Sequence, residues 1–274
     1  MKNTEYLYHY TSIETLALIL KNRTIRFNSL DKMDDLQEKE TADIKNIGQF
    51  FYISSWTEDA TESIPMWNMY ASLNSGIRIK LRKNPFKVYE NTAVDLSHVV
   101  HASVTDNSNG KPLLSIIPLT EMFEKGFIAP QAMARDLLRK VEYTDDKDKL
   151  YPKMLAENDN HFTIAMGELG RYKNLHWSFQ SEWRYILNIL PVDLNQPVEA
   201  SIRDFQLVAN KMRWGIAKQP FPHYDMIIAD DAFADMEITL SPRISAGNRI
   251  VVQSLVEKYN PSAILRESSL LGLI

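Results

Sequence analysis

Hydrophobic and polar positions change period several times along the chain, and each change predicts an element. Residues 6–10 (YLYHY) form an aromatic, extended run, a short buried strand. Thr11 or Ser12 then offers a helix cap, and Ile13, Leu16, Ala17 and Leu20 make the i, i+3, i+4, i+7 stripe of an amphipathic helix. Residues 24–28 (TIRFN) read as a second strand, followed by the acidic, irregular segment SLDKMDDLQEKE. A third, strongly apolar strand spans 48–56 (GQFFYISSW), and IPMWNMYASLN predicts a short helix with Pro65 in its first turn, where a missing N–H costs nothing. Residues 76–81 (GIRIKL) alternate strictly, as an amphipathic strand does.

The middle of the chain reads as two short strands, 98–104 and 113–117, around the turn TDNSNGKP. A helix over 119–139 follows, then a strand at KVEY, then a polar helical stretch over 145–173 with Leu150, Met154, His161, Ile164, Ala165, Leu169 and Tyr172 on its apolar side. Beyond the Pro-rich connector PVDLNQPVEAS come a helix at 204–214, a strand at YDMIIADD and a strand in DMEITLSPRIS. A helix over 247–259 and a closing strand at SAILRES complete the chain. The pattern predicts one α+β domain over 1–274: a mostly antiparallel, split β-sheet with surrounding helices and a helical insertion around 118–173.

The segment WSFQSEWRYILNIL departs from ordinary patterning. In an extended strand Glu182, Arg184 and Ile186 share one face, and Trp183, Tyr185 and Leu187 the other. An acid and a base at the mouth of an apolar strand are costly unless paired or used. A surface ion pair at a strand end is the plain alternative. His9, at a strand end before a helix cap, stands where side chains face a cleft, although a lone histidine there is more often structural. Met66, Trp67 and Tyr70 are helical neighbours, either core or the aromatic wall of a pocket.

Composition narrows the chemistry. The chain has 274 residues, 31 Lys plus Arg against 35 Asp plus Glu, and a formal charge of −4, which argues against a generally basic nucleic-acid surface. The absence of cysteine excludes disulfides, thiolate metal sites and cysteine nucleophiles. His98 and His101 form an HxxH, but on a strand i and i+3 point to opposite faces, so no metal site is expected. There is no GxGxxG, Walker motif, HExxH or GxSxG, and no internal repeat. No leader is visible and no apolar run approaches the roughly 18 residues of a membrane span, so a cytoplasmic protein without membrane contact is expected.

Taken in order, YHYTS with its helix, IRFNS, FYISSW, MWNMYA, GIRIKL, WSFQSEWRYIL and ITLSPRIS resemble a bacterial family known as domain of unknown function 2971 (DUF2971), over nearly the whole chain. That family's asparagine–aspartate–proline turn after the second strand is here the looser LDKMDDLQE. The opening YHYTS plus helix also resembles the entry of the ADP-ribosyltransferase-like superfamily. That resemblance implies NAD as cofactor. It implies His9 as the residue holding the ribose, Tyr70 or Tyr10 as the aromatic stacking on nicotinamide, and Glu182 as the catalytic acid. Ser54 and Ser55 sit where the superfamily often has a serine strand, and Arg184 is placed to hold Glu182 ionised or bind a pyrophosphate oxygen. The acceptor would be a protein or a nucleic acid. The alternatives are a non-catalytic module binding a nucleotide or nucleic-acid end, an RNA-acting phosphotransferase or nuclease, and an interaction protein in which these residues are structural.

Overall fold

The computed structural model describes residues 5–91, 105–106, 111–135, 137–158 and 161–274. His98 and His101, and the strand expected at 98–104, lie outside the described residues.

Strand β1 (Tyr6–Ser12) runs into helix α1 (Ile13–Asn22), capped by the Ser12 hydroxyl accepting from Thr15 N. The helix buries Ile13, Leu16, Ile19 and Leu20 and ends at Arg23 in the left-handed region. Strands β2 (Thr24–Ser29), β3 (Phe51–Thr57) and β4 (Gly76–Arg82) follow. With five later strands they form a nine-stranded sheet, antiparallel at every pairing except Glu237–Leu240 beside Ile264–Arg266. The expected α+β, mostly antiparallel architecture is what the chain adopts.

The centre of the sheet is β3. The strand Glu182–Asn188 pairs along its full length, from Glu182↔Thr57 to Asn188↔Phe51. A strand has two hydrogen-bonding edges, so the remaining partners share the other one. There β2 pairs at Asn28↔Ile53 and Ser29↔Tyr52, whereas β1 pairs at Tyr8↔Thr57. Between these points the edge of β3 faces a fork whose arms are β1, continued by β4, and β2, continued by His223–Ile227.

Alternation divides the core. Tyr52 and Trp56 of β3, with Tyr185 and Leu187, point into a large cluster beneath α1 and the helix Ala246–Tyr259. Phe51, Ile53 and Ile186 point the other way, into a second cluster shared with Val208 and Met212 of the helix Val198–Arg213. A third cluster joins Tyr10 to Met66, Trp67 and Ala71. The last three lie in one helical segment, α-helical over Ile64–Met66 and widened to a π turn over Trp67–Ala71.

The helical insertion expected around 118–173 is largely absent. Among the described residues it holds three short helices, Leu119–Lys125, Pro130–Ala134 and Lys147–Leu150. Gly126 takes φ 65°, and Pro130 starts a new helix rather than continuing the old one. Past Leu150 the apolar spacing read as helical belongs to the hairpin Leu155–Glu157 with Phe162–Ile164, and to the strand Tyr172–Asn174. Asp230 and Asp231, the last residues of the segment expected as a strand, instead open the helix Asp230–Ala234 and pair with Arg23 and Arg82.

Candidate functional site

A cavity of about 390 Å³ opens in the fork between β1 and β2, floored by β3. Its lining includes His9, Tyr10, Ser54, Tyr70, Glu182 and Arg184, with Ser55 and Met66; Trp67, the other member of the helical aromatic set, is core instead. The first six come from four separate stretches of chain: β1, β3, the π turn, and the strand Glu182–Asn188 on the other edge of β3.

Glu182 begins its strand immediately after Ser181, which sits in the left-handed region at φ 45° and closes the turn Leu175–Gln180. That kink turns the chain from the turn into the strand. Glu182 is 4% and Arg184 1% exposed, so the pair is buried rather than the surface bridge that spacing alone suggests. Arg184 Nε donates to Glu182 Oε1 at 2.7 Å and Nη2 to Oε2 at 3.1 Å, a bidentate pair. Two further residues close a four-charge cluster. Lys173 Nζ lies 3.2 Å from Glu182 Oε2 and 3.0 Å from Glu38 Oε1, and Arg184 Nη1 lies 2.6 Å from Glu38 Oε2. Burial pushes the Glu182 carboxyl up, but the charges of Arg184 and Lys173, with hydrogen bonds from Arg184 and Ser55, outweigh it and hold the group at about 2. Glu182 is therefore a fixed carboxylate at neutral pH, unsuited to shuttling a proton.

Tyr70 stands across the cavity on the π turn. Its hydroxyl accepts from Gln180 Nε2, whose amide oxygen in turn accepts from Lys173 Nζ at 2.9 Å. Burial, the neighbouring Asp34 and the charges of Glu182 and Glu38 raise the phenol well above its ordinary range. One polar chain thus links Asp34, Tyr70, Gln180, Lys173 and Glu182.

His9 lies in the fork itself. Its Nδ1 is 2.8 Å from the carbonyl oxygen of Ser55, on the edge of β3 that neither β1 nor β2 covers. A carbonyl only accepts, so Nδ1 carries the proton and Nε2 keeps a lone pair for a ligand donor. Burial lowers the imidazole pKa, opposed by the bond to Ser55, so the ring is neutral at pH 7. It leans on Trp56 at 5.1 Å. By register, Tyr8 and Thr57 share the face of Glu182, which places His9 on the opposite face. Both side chains still line the cavity, because it opens where the sheet forks.

The other two candidates are walls. Tyr10 packs edge-on against Trp67 at 5.0 Å, and its hydroxyl accepts from Ser63 N at 3.1 Å. The Ser54 hydroxyl accepts from Trp56 Nε1 at 3.0 Å, on the core face. The serine on the face of Glu182 is Ser55, opposite Arg184 in the register.

Sequence reasoning missed Glu38, Lys173, Gln180 and Asp34. Lys173 was read as the end of a helix but lies on the strand Tyr172–Asn174, which aims it inward. Nothing in the run DDLQEKE separates Glu38 from its acidic neighbours. Its burial follows from a turn in which Asp35 accepts from Gln37 N at 3.0 Å and Glu38 N bonds Asp35 O at 3.3 Å.

Arg26 and Arg184 also line the cavity, but each already holds a carboxylate, Arg26 that of Asp225 at 2.9 and 3.0 Å. Arg78 stacks behind Tyr8 at 4.6 Å, and Arg171 pairs with Glu168. Glu182 is buried, and the cleft beside it is open. Among the described residues, no three His, Asp or Glu side chains are arranged to hold a metal ion, and no helix is long and apolar enough to cross a membrane. No protein-family model, curated protein or solved structure matches the chain.

Proposed function

We propose that the fork is a split in the sheet serving as a nucleotide cleft, and that the protein transfers ADP-ribose from NAD to an acceptor in the cytoplasm. The observation that supports this reading is the convergence of His9, Tyr70 and Glu182 on one cavity. The cavity suits the group in kind: its volume of about 390 Å³ falls within the roughly 300–1,000 Å³ of small-molecule sites, and aromatic rings line it beside a few placed polar groups. Bound there, NAD supplies a glycosidic bond whose heterolysis develops positive charge on the ribose. The residues then have defined work. Glu182, held ionised, offers fixed negative charge to that developing cation and needs no proton transfer to do so. His9 Nε2 accepts from a sugar hydroxyl, and the neutral Tyr70 ring supplies a flat wall.

One observation favours a second reading, recognition without chemistry. Both carboxylate oxygens of Glu182 are already engaged by Arg184 and Lys173. A carboxylate so neutralised anchors a site more readily than it stabilises a cation.

Calorimetric titration of NAD with parallel assay of nicotinamide release separates the two. Transfer predicts binding and release by the wild type, and binding without release by Glu182→Gln. His9→Ala weakens binding by roughly tenfold, the loss of about one good hydrogen bond. Binding without release by the wild type selects recognition, and no heat from NAD removes the dinucleotide from both readings.

A further inference from the structure

Glu38 touches the cations of the cluster but is not part of the cavity lining, whereas Lys173, Glu182 and Arg184 all are. Its carboxylate binds one atom of each cation, leaving the remaining donors of Arg184 to Glu182 and to the carbonyl of Gly170 at 3.1 Å. With Glu38 the four-charge cluster holds two cations and two anions and is neutral; without it the cluster would carry one positive charge in excess, while Asp34, the other acid of this end of the lining, sits with Tyr70 across the cavity. An uncompensated cation at the floor of a buried site is an anion receptor, since the low local dielectric magnifies each charge.

We propose that Glu38 is a specificity-determining residue: by neutralising the cavity floor from behind, it reserves the inner end of the site for an uncharged, hydrogen-bonding group and excludes phosphate from it. The phosphates of a nucleotide would then lie toward the β2 wall, where Lys32 is exposed and its ammonium donates to the Pro222 carbonyl at 2.8 Å. This inference rests on the cavity being the ligand site, as proposed above, but not on NAD being the ligand.

The probe is inorganic phosphate, titrated calorimetrically, with the Lys173 ammonium resonance followed by NMR to locate binding. The wild type is expected to leave that resonance unmoved. Glu38→Gln is expected to bind phosphate at least about tenfold more tightly, with the resonance shifting. Adding Lys173→Met to Glu38→Gln restores neutrality and is expected to abolish the gain, which a merely loosened structure would retain. Three results would overturn the proposal: a wild-type floor that titrates with phosphate, a folded Glu38→Gln without gain, or a double variant that keeps it. If Glu38→Gln does not fold, the wild-type titration decides alone. Failure of NAD to bind would leave these outcomes unchanged, so the two proposals fail separately.

Discussion

At Glu182, pairing wins over burial, and the margin has measurable consequences. Replacing the carboxylate by an amide keeps the shape but leaves Arg184 and Lys173 to share Glu38. Removing one partner of a buried ion pair costs about 3–5 kcal/mol, whereas an exposed pair is worth at most about 1 kcal/mol. Urea denaturation of Glu182→Gln should therefore show a loss several times that of Glu168→Gln, whose partner Arg171 is half-exposed. The pH dependence follows from the same groups. Because folding lowers the Glu182 pKa from 4.5 to about 2, its stabilisation is complete above pH 4.5 and is lost as pH falls through about 2. His9 is also lowered, from 6.5, so the unfolded chain takes up that proton first and stability declines as pH drops below 6.5. His9→Gln should flatten that upper slope and leave the lower one intact, read as urea midpoints between about pH 2 and 8.

Among the elements, the segments leading into the site depend on backbone positions with no slack. A Cβ on Gly76 would lie 2.4 Å from the Ala71 carbonyl oxygen, because the chain leaving the π turn folds directly against the start of β4. Gly76→Ala should destabilise by about 1–3 kcal/mol or more, since backbone, not a movable side chain, is in the way. Ser181 is a non-glycine residue in the left-handed region, at a cost on the order of 1 kcal/mol. Ser181→Val should lower the thermal midpoint and Ser181→Gly should not, if the kink before Glu182 is the constraint. The elements that were legible in the sequence are those whose pattern is local. The alternation from Glu182 to Leu187 was readable because a strand imposes its period on each residue, and the Ser12 cap because it needs only Thr15. The stretch after Leu119 was misread because its apolar spacing fits a helix, while Gly126, Pro130 and Pro152 interrupt it. Glu38 was invisible because the cations that pair with it, Lys173 and Arg184, are distant in sequence and meet it only in the folded chain.

At the scale of the whole molecule, β3 and its partner strand feed both large clusters, so the two faces of the sheet cannot unfold independently. The fork is the one place described where two arms of the same sheet, β1 and β2, part without a strand between them. A ligand seated there bridges the arms and adds to the stability of the entire chain by mass action. At a free concentration one hundred times its dissociation constant the gain is about 2.7 kcal/mol. For a chain of this size each kcal/mol moves the thermal midpoint by roughly 2–4 °C, so a rise of about 5–10 °C is expected. Hydrogen exchange locates the cause. Binding in the fork should slow exchange in β1, β2 and the Leu175–Gln180 turn, leaving the helix Val198–Arg213 on the far cluster unchanged beyond the global shift. A midpoint that rises while protection gathers on that helix would place the ligand on the other side of the sheet. It would also return the His9, Tyr70 and Glu182 cluster to a purely structural role.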